Sequence, residues 1–213
     1  TAAPRFSTDR GAAVSAHVAS GTVAVMPSPF LYFAGERLSP AELSAARLDG
    51  HLVELGDAYI PADAVETRAL RAGSLAGLLG DTLAATHLSA AWIHGALHDP
   101  PSRHTVQRAV PRRLHQVIGR RVRYRDLCVD PADLLRIGGV PVTSPERTLA
   151  DLSRLTDPEC IAAARMMADA DPALPQRALE WFAAHGALPN KRSALAVLAE
   201  LATRSGRQED VTR

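Results

Sequence analysis

Residues 102–125, SRHTVQRAVPRRLHQVIGRRVRYR, hold Arg103, Arg108, Arg112, Arg113, Arg120, Arg121, Arg123 and Arg125, two histidines and no carboxylate. The window carries +8 in a chain whose formal charge is +1, which leaves −7 for everything outside it. Guanidinium groups bind phosphates and carboxylates through paired hydrogen bonds, so the chemistry on offer is recognition of anions. Lys191 is the only lysine, and an alanine- and arginine-rich composition accounts for that choice of cation. It does not account for the missing acids. A polyanion or an acidic protein face is therefore the expected partner, against the alternative of a plain solvated face.

Other groupings could do chemistry and are weaker. His87, His94, His98 and Asp99 have the spacing of a metal set on one helix face. Gly95 and Pro100 should end that helix before His98, and no Glu stands between the histidines as in an HExxH pattern. His94 is expected to bond the backbone at a helix end. Asp126, Asp130 and Asp133 could hold a catalytic ion in a nuclease, which often also uses a lysine. Lys191 follows Pro189-Asn190, so no Asp-x-Lys or Glu-x-Lys triplet exists, and turn chemistry around Pro131 is the expected role of these acids. Ser144 is expected to cap a helix on which Arg147 and Asp151 pair. No Gly-x-Ser-x-Gly elbow and no phosphate loop of Walker or dinucleotide type occurs. Cys128 is expected to be a small buried hydrophobe, and Trp92 and Trp181 to be core. No metal, cofactor or catalytic residue is assigned.

Regular elements must position the arginines. Arg121, Arg123 and Arg125 alternate with Val122 and Tyr124, which predicts a strand over 120–129 with the arginines on one face. Further strands are expected over 104–110 and 137–142. Upstream, Ser39-Pro40-Ala41-Glu42 is a capping box, predicting a helix to Leu48. Residues 51–60 read as two short strands around Gly56-Asp57. Helices are expected over 63–79, 86–95, from Ser144, and over 158–169, 175–185 and 191–203, with frayed residues after Ser205. A short helix over 9–19 is also expected.

At 213 residues, with 46% apolar and 22% charged residues, the composition suits an ordinary globular protein. No run approaches a membrane span, and residues 11–27 lack the layout of a signal peptide. Two unpaired cysteines suit a reducing cytoplasm.

Three stretches carry a family resemblance: Leu88-Ser-Ala-Ala-Trp-Ile-His-Gly95, Val122-Arg-Tyr-Arg-Asp126, and Gly138-Gly-Val-Pro-Val-Thr-Ser-Pro-Glu-Arg-Thr-Leu-Ala-Asp151. Together, over about residues 38–155, the chain resembles the AbiEi-type antitoxins of type IV toxin–antitoxin systems, in an actinobacterial-like form. The resemblance implies a winged-helix unit that binds the operon's own promoter, joined to an α/β domain that neutralises a nucleotidyltransferase-like toxin. The expected fold is α+β: a loose segment over 1–30, a reduced winged-helix-like unit over 31–62, an antitoxin-like domain with a small mixed sheet over 63–155, and a helical region over 156–213. The hairpin at 51–60 holds Glu54 and Asp57 and neither Arg nor Lys, so the arginine strand is the expected nucleic-acid contact. The alternatives are a metal-dependent nuclease-fold enzyme and an orphan nucleic-acid-binding protein.

Overall fold

The structure is a computed structural model that describes residues 28–114 and 119–211, with side chains described to Arg204. The helix expected over 9–19 lies outside the described residues. The architecture is mixed α+β, with two small sheets flanked by helices.

Helix α1 (Pro40–Leu48) starts as its sequence dictates. Ser39 accepts from the Glu42 amide, and Glu42 accepts from the Ser39 amide at 2.8 Å. Strands β1 (Leu52–Leu55) and β2 (Ala58–Pro61) form the expected hairpin, with Tyr32 bridged to Tyr59. The helix expected over 63–79 starts later and is broken. Thr67 caps α2 (Arg68–Ser74) by accepting from Leu70 N, and α3 (Ala76–Leu79) follows after Leu75.

The main sheet has five strands in the order β5-β4-β3-β7-β6. Its central strand β3 (Leu83–Ala85) has no counterpart in the sequence reading, because three apolar residues display no period. Helix α4 (His87–His94) leads to β4 (His104–Arg108), antiparallel to β3, and β5 (Val122–Cys128) runs parallel to β4. A 3-10 turn at Pro131–Asp133 precedes β6 (Leu134–Ile137) and β7 (Val140–Thr143). One strand was expected over 137–142; two antiparallel strands are found. Gly138 (φ 54°) and Gly139 (φ 83°) make the turn between them, since both central positions of such a turn need positive φ. A side chain at Gly138 would collide with the Ala69 carbonyl, so the turn also fixes how closely α2 approaches the sheet.

Helices α5 (Pro145–Ser153), α6 (Pro158–Ala170), α7 (Leu174–Ala184) and α8 (Lys191–Val211) complete the chain. Helix α8 runs past the expected end at Thr203, because residues 204–211 contain no proline to stop it and one glycine only weakens it. Two apolar cores result. One joins the hairpin (Leu55, Ala58, Ile60) to the sheet (Val106, Val122, Val142) and to Trp92. The other packs α5 to α8 around Leu149, Phe182 and Leu198, largely through alanines. Leu97 packs against both, so the two cores share a wall.

Candidate partner-binding surface

Strand β5 lies at the sheet edge and pairs only with β4. Its register sets Thr105 opposite Arg123, Val106 opposite Tyr124, and Gln107 opposite Arg125. Val122 and Tyr124 pack against the same core as Val106, which turns Arg123 and Arg125 to the other face. Arg123 is exposed and Arg125 half-buried, while Arg112 and Arg120 are exposed in the flanking loops. Among the described residues, none of these four meets a carboxylate within ion-pair distance.

Of the remaining four arginines of the window, Arg103, Arg108 and Arg121 are engaged within the fold and Arg113 stays largely exposed. Arg103 Nη2 donates to the Val122 carbonyl at 2.9 Å. Arg108 is buried; its Nη1 donates to the Pro111 carbonyl at 2.6 Å and its Nε lies 2.9 Å from Asp126 Oδ1. That last contact is an ion pair by distance without hydrogen-bond alignment. Arg113 lies 4.0 Å from the other oxygen of Asp126. Arg121 sits just outside β5 and turns to the hairpin, with Nη2 3.2 Å from the Gly56 carbonyl and 2.7 Å from Asp57 Oδ1. Asp126, which also accepts from the Tyr124 hydroxyl at 2.9 Å, was not foreseen as a partner. Its signal was visible: it is the first carboxylate after the window and sits two residues from Tyr124 on the same strand face.

The unit to which Arg121 is tied has the opposite charge. Residues 28–66 contain seven carboxylates and two arginines, a formal −5. A polyanion is repelled there and attracted to the β5 edge.

The motif around Ser144 builds an internal lattice. Ser144 caps α5 by accepting from Arg147 N. Arg147 donates from Nε to Asp151 at 2.9 Å and from Nη1 to Asp133 at 2.7 Å, and Arg154 donates to the other oxygen of Asp151 at 2.5 Å. Asp133 also accepts from Trp181 Nε1 at 2.7 Å, which ties the 3-10 turn to α7. Burial opposes the Arg147 charge, but Asp151 and Asp133 outweigh it, so its pKa stands above the usual arginine value. Arg177, on α7, bridges Asp171 and Glu146, and those two carboxylates hold its pKa above the usual value too.

Three histidines pack around α4, His87 and His104 buried and His94 half-buried. His94 Nε2 donates to the Thr143 carbonyl at 2.8 Å, as a helix-end histidine should. His104 stands beside Ser89 and against Trp92. His87 takes a left-handed φ of 53°. Burial lowers the pKa of all three; for His87 it pushes the value down to about 4, with Asp151 opposing and Arg125 assisting.

A family profile described as AbiEi antitoxin C-terminal domain matches residues 83–208. The chain belongs to the AbiEi antitoxin family. The match begins at β3 and takes in the whole five-stranded sheet, α4 to α7 and most of α8. The motifs led to an expected span of about 38–155; the match starts later, at 83, and runs further, to 208, over helices that pack on α5 in one core. No curated protein matches the chain significantly. Among solved structures, the crystal structure of the RV2827C protein from Mycobacterium tuberculosis is similar at 18% identity, covering 76% of this chain and 68% of that one, with a TM-score of 0.33.

Within the AbiEi domain, the three acids of the nuclease reading go separate ways. Asp126 faces Arg108, Asp130 accepts from Ala132 N at 2.9 Å, and Asp133 lies in the α5 lattice. Among the described residues, no three His, Cys, Asp or Glu side chains are grouped to hold an ion, and no helix is long and apolar enough to cross a membrane. Cys128 was expected to be buried and is exposed, because it lies where the edge strand ends; Cys160, on α6, is buried. Trp92 is fully buried, and Trp181 is half-buried with its indole N–H held by Asp133. An antitoxin acts within a toxin–antitoxin system, so a toxin is its implied partner.

Proposed function

We propose that this AbiEi-family protein neutralises a nucleotidyltransferase-like toxin in the cytoplasm by binding it, without catalysis, through the β5 edge. The observation that carries this reading is the set Arg112, Arg120, Arg123 and Arg125, four guanidinium groups on or beside an open sheet edge with no carboxylate of the described residues in reach. Arginine is suited to such a contact because it pairs with a carboxylate bidentately. Arg103 and Arg108 shape the edge from within, and the exposed Arg113 and Arg121 border it. The test is co-expression with the toxin-like frame encoded beside the gene. The wild type should restore growth and co-purify with it, and the Arg123→Ala/Arg125→Ala variant should do neither while remaining folded. A variant that still neutralises sinks the reading.

The same arginines support a second role, repression of the protein's own operon through phosphate contacts. The acidic hairpin unit favours this geometry, since it turns DNA towards β5 and away from itself. Anisotropy of a labelled upstream fragment and a scrambled duplex over a salt series tests it. Preference for the upstream DNA is expected, with a log–log slope of about −0.9 per phosphate contacted. Equal weak binding to both duplexes removes the repressor role and leaves the edge to the toxin.

A further inference from the structure

Arg121 belongs to the basic window but does not face the way its neighbours do. Its carbonyl accepts from the His104 amide at 2.7 Å, so its backbone already joins the β4 ladder one residue before β5 begins. Strand alternation carried back by that residue puts its side chain on the face of Arg123 and Arg125. The side chain turns to the hairpin instead, where Nη2 lies 2.7 Å from Asp57 Oδ1 and donates to the Gly56 carbonyl at 3.2 Å.

The contact that turns it is poorly made. Asp57 Oδ1 has no hydrogen-bond partner, so it meets Arg121 by charge alone, without the alignment of a charge-assisted hydrogen bond. Arg121 Nε and Nη1 make no hydrogen bond among the described residues, and the one bond from Nη2 is longer than arginine usually makes to an anion. The Arg121 side chain is 58% exposed and that of Asp57 only 22%. A carboxylate that met this fork with two aligned bonds would hold it more firmly than Asp57 does. Arg108 is the contrast: it is buried and anchored to the Pro111 carbonyl at 2.6 Å, so no partner can draw it out.

We propose that Asp57 is a built-in competitor for the β5 edge, holding Arg121 against the hairpin until a carboxylate of an acidic partner segment takes the guanidinium. The proposal rests on the reading of β5 as the partner surface and adds a fifth arginine to it. The group that Arg121 meets in the free chain is a carboxylate, and the exchange puts another carboxylate in its place. Because Asp57 is largely shielded from water, leaving it without Arg121 is costly, so the latch weakens the complex as well as reshaping it. It also sets an order of engagement. Arg123 and Arg125, with no carboxylate of the described residues in reach, meet the partner first, and Arg121 joins last.

The test uses the full chain and a fluorescent oligoglutamate peptide, read by anisotropy at physiological salt. Asp57→Asn should tighten binding about two- to fivefold, the worth of one partly exposed ion pair. Asp63→Asn makes the same charge change at an exposed acid of the same unit and should alter binding less. In an Arg121→Ala background, Asp57→Asn should bring no gain. Saturating peptide should also move the Gly56 and Asp57 amide resonances of the wild type to the positions they take in Arg121→Ala. No gain from Asp57→Asn, an equal gain without Arg121, or hairpin resonances unmoved at saturation overturns the latch. The edge reading then still stands if binding needs Arg123 and Arg125. Peptide binding that survives Arg123→Ala/Arg125→Ala, or no binding at all, removes the edge reading and the latch together. A gain from Asp57→Asn seen with duplex DNA and not with the peptide gives Arg121 to phosphate and overturns the acidic partner.

Discussion

The α5 lattice and the β5 edge use the same residue type and leave it in opposite states. In the lattice, Arg147 and Arg154 close on Asp151 and Asp133, each within 2.9 Å, inside the helical core. On the edge, Arg123 and Arg125 stand side by side without a carboxylate among the described residues. Arg121 lies between these extremes, exposed yet latched to Asp57 of the hairpin. An arginine with a buried acid one helical turn away is part of the fold. An arginine whose strand neighbours are Thr105 and Gln107 keeps its charge for a partner outside the chain.

The sharpest way to break this contrast is to remove the acid at the lattice centre. Asp151→Ala leaves the part-buried Arg154 without its counter-ion and Arg147 with Asp133 alone, and should cost about 3–5 kcal/mol, read by urea denaturation. A loss below about 1 kcal/mol would mean that the lattice is no more structural than the edge. Acid should act next. His87, His94 and His104 have folded pKa values below their unfolded ones, so the unfolded chain binds more protons between the two. Their stabilisation is complete above about pH 6.5 and is lost as pH falls from there towards 4, with His87 alone contributing of order 3 kcal/mol. Melting temperature over that range should drop accordingly, and a flat profile would contradict the burial of these rings.

Arg121→Ala should cost at most about 1 kcal/mol, because the pair is partly exposed and screened. Its signature is local: hydrogen exchange at Gly56 and Asp57 should quicken while the sheet amides keep their protection. The smallest effect on stability belongs to Arg123→Ala/Arg125→Ala, within about 0.5 kcal/mol of wild type. The same variant should show the largest loss of partner binding, and that inversion is what the comparison between lattice and edge predicts.

Local chemistry was legible wherever one residue decided it. Ser39, Ser144 and Asp130 cap what their spacing says they cap, and His94 bonds a carbonyl at a helix end. The family motif ending at Asp151 was legible as well, although its purpose was not. Arg147 and Asp151 are four residues apart and announce their pairing, whereas Asp133 and Trp181 reach the lattice from other elements. Cys128 was misjudged because a strand pattern does not say which strand lies at the edge.

By itself, the sequence determined the α+β character, the helix starts capped by Ser39 and Ser144, and the segregation of charge, since these depend on residue type and short spacing. The tertiary structure decided which of the eight arginines remain available. It set β5 at the sheet edge, brought Asp126 to Arg108 and Asp57 to Arg121, and left Arg112, Arg120 and Arg123 exposed and Arg125 half-buried, with no carboxylate of the described residues in reach. An ion pair needs two charges within about 4 Å. Whether residues 57 and 121 come that close is fixed by how the hairpin packs on the sheet, and no local pattern encodes that distance.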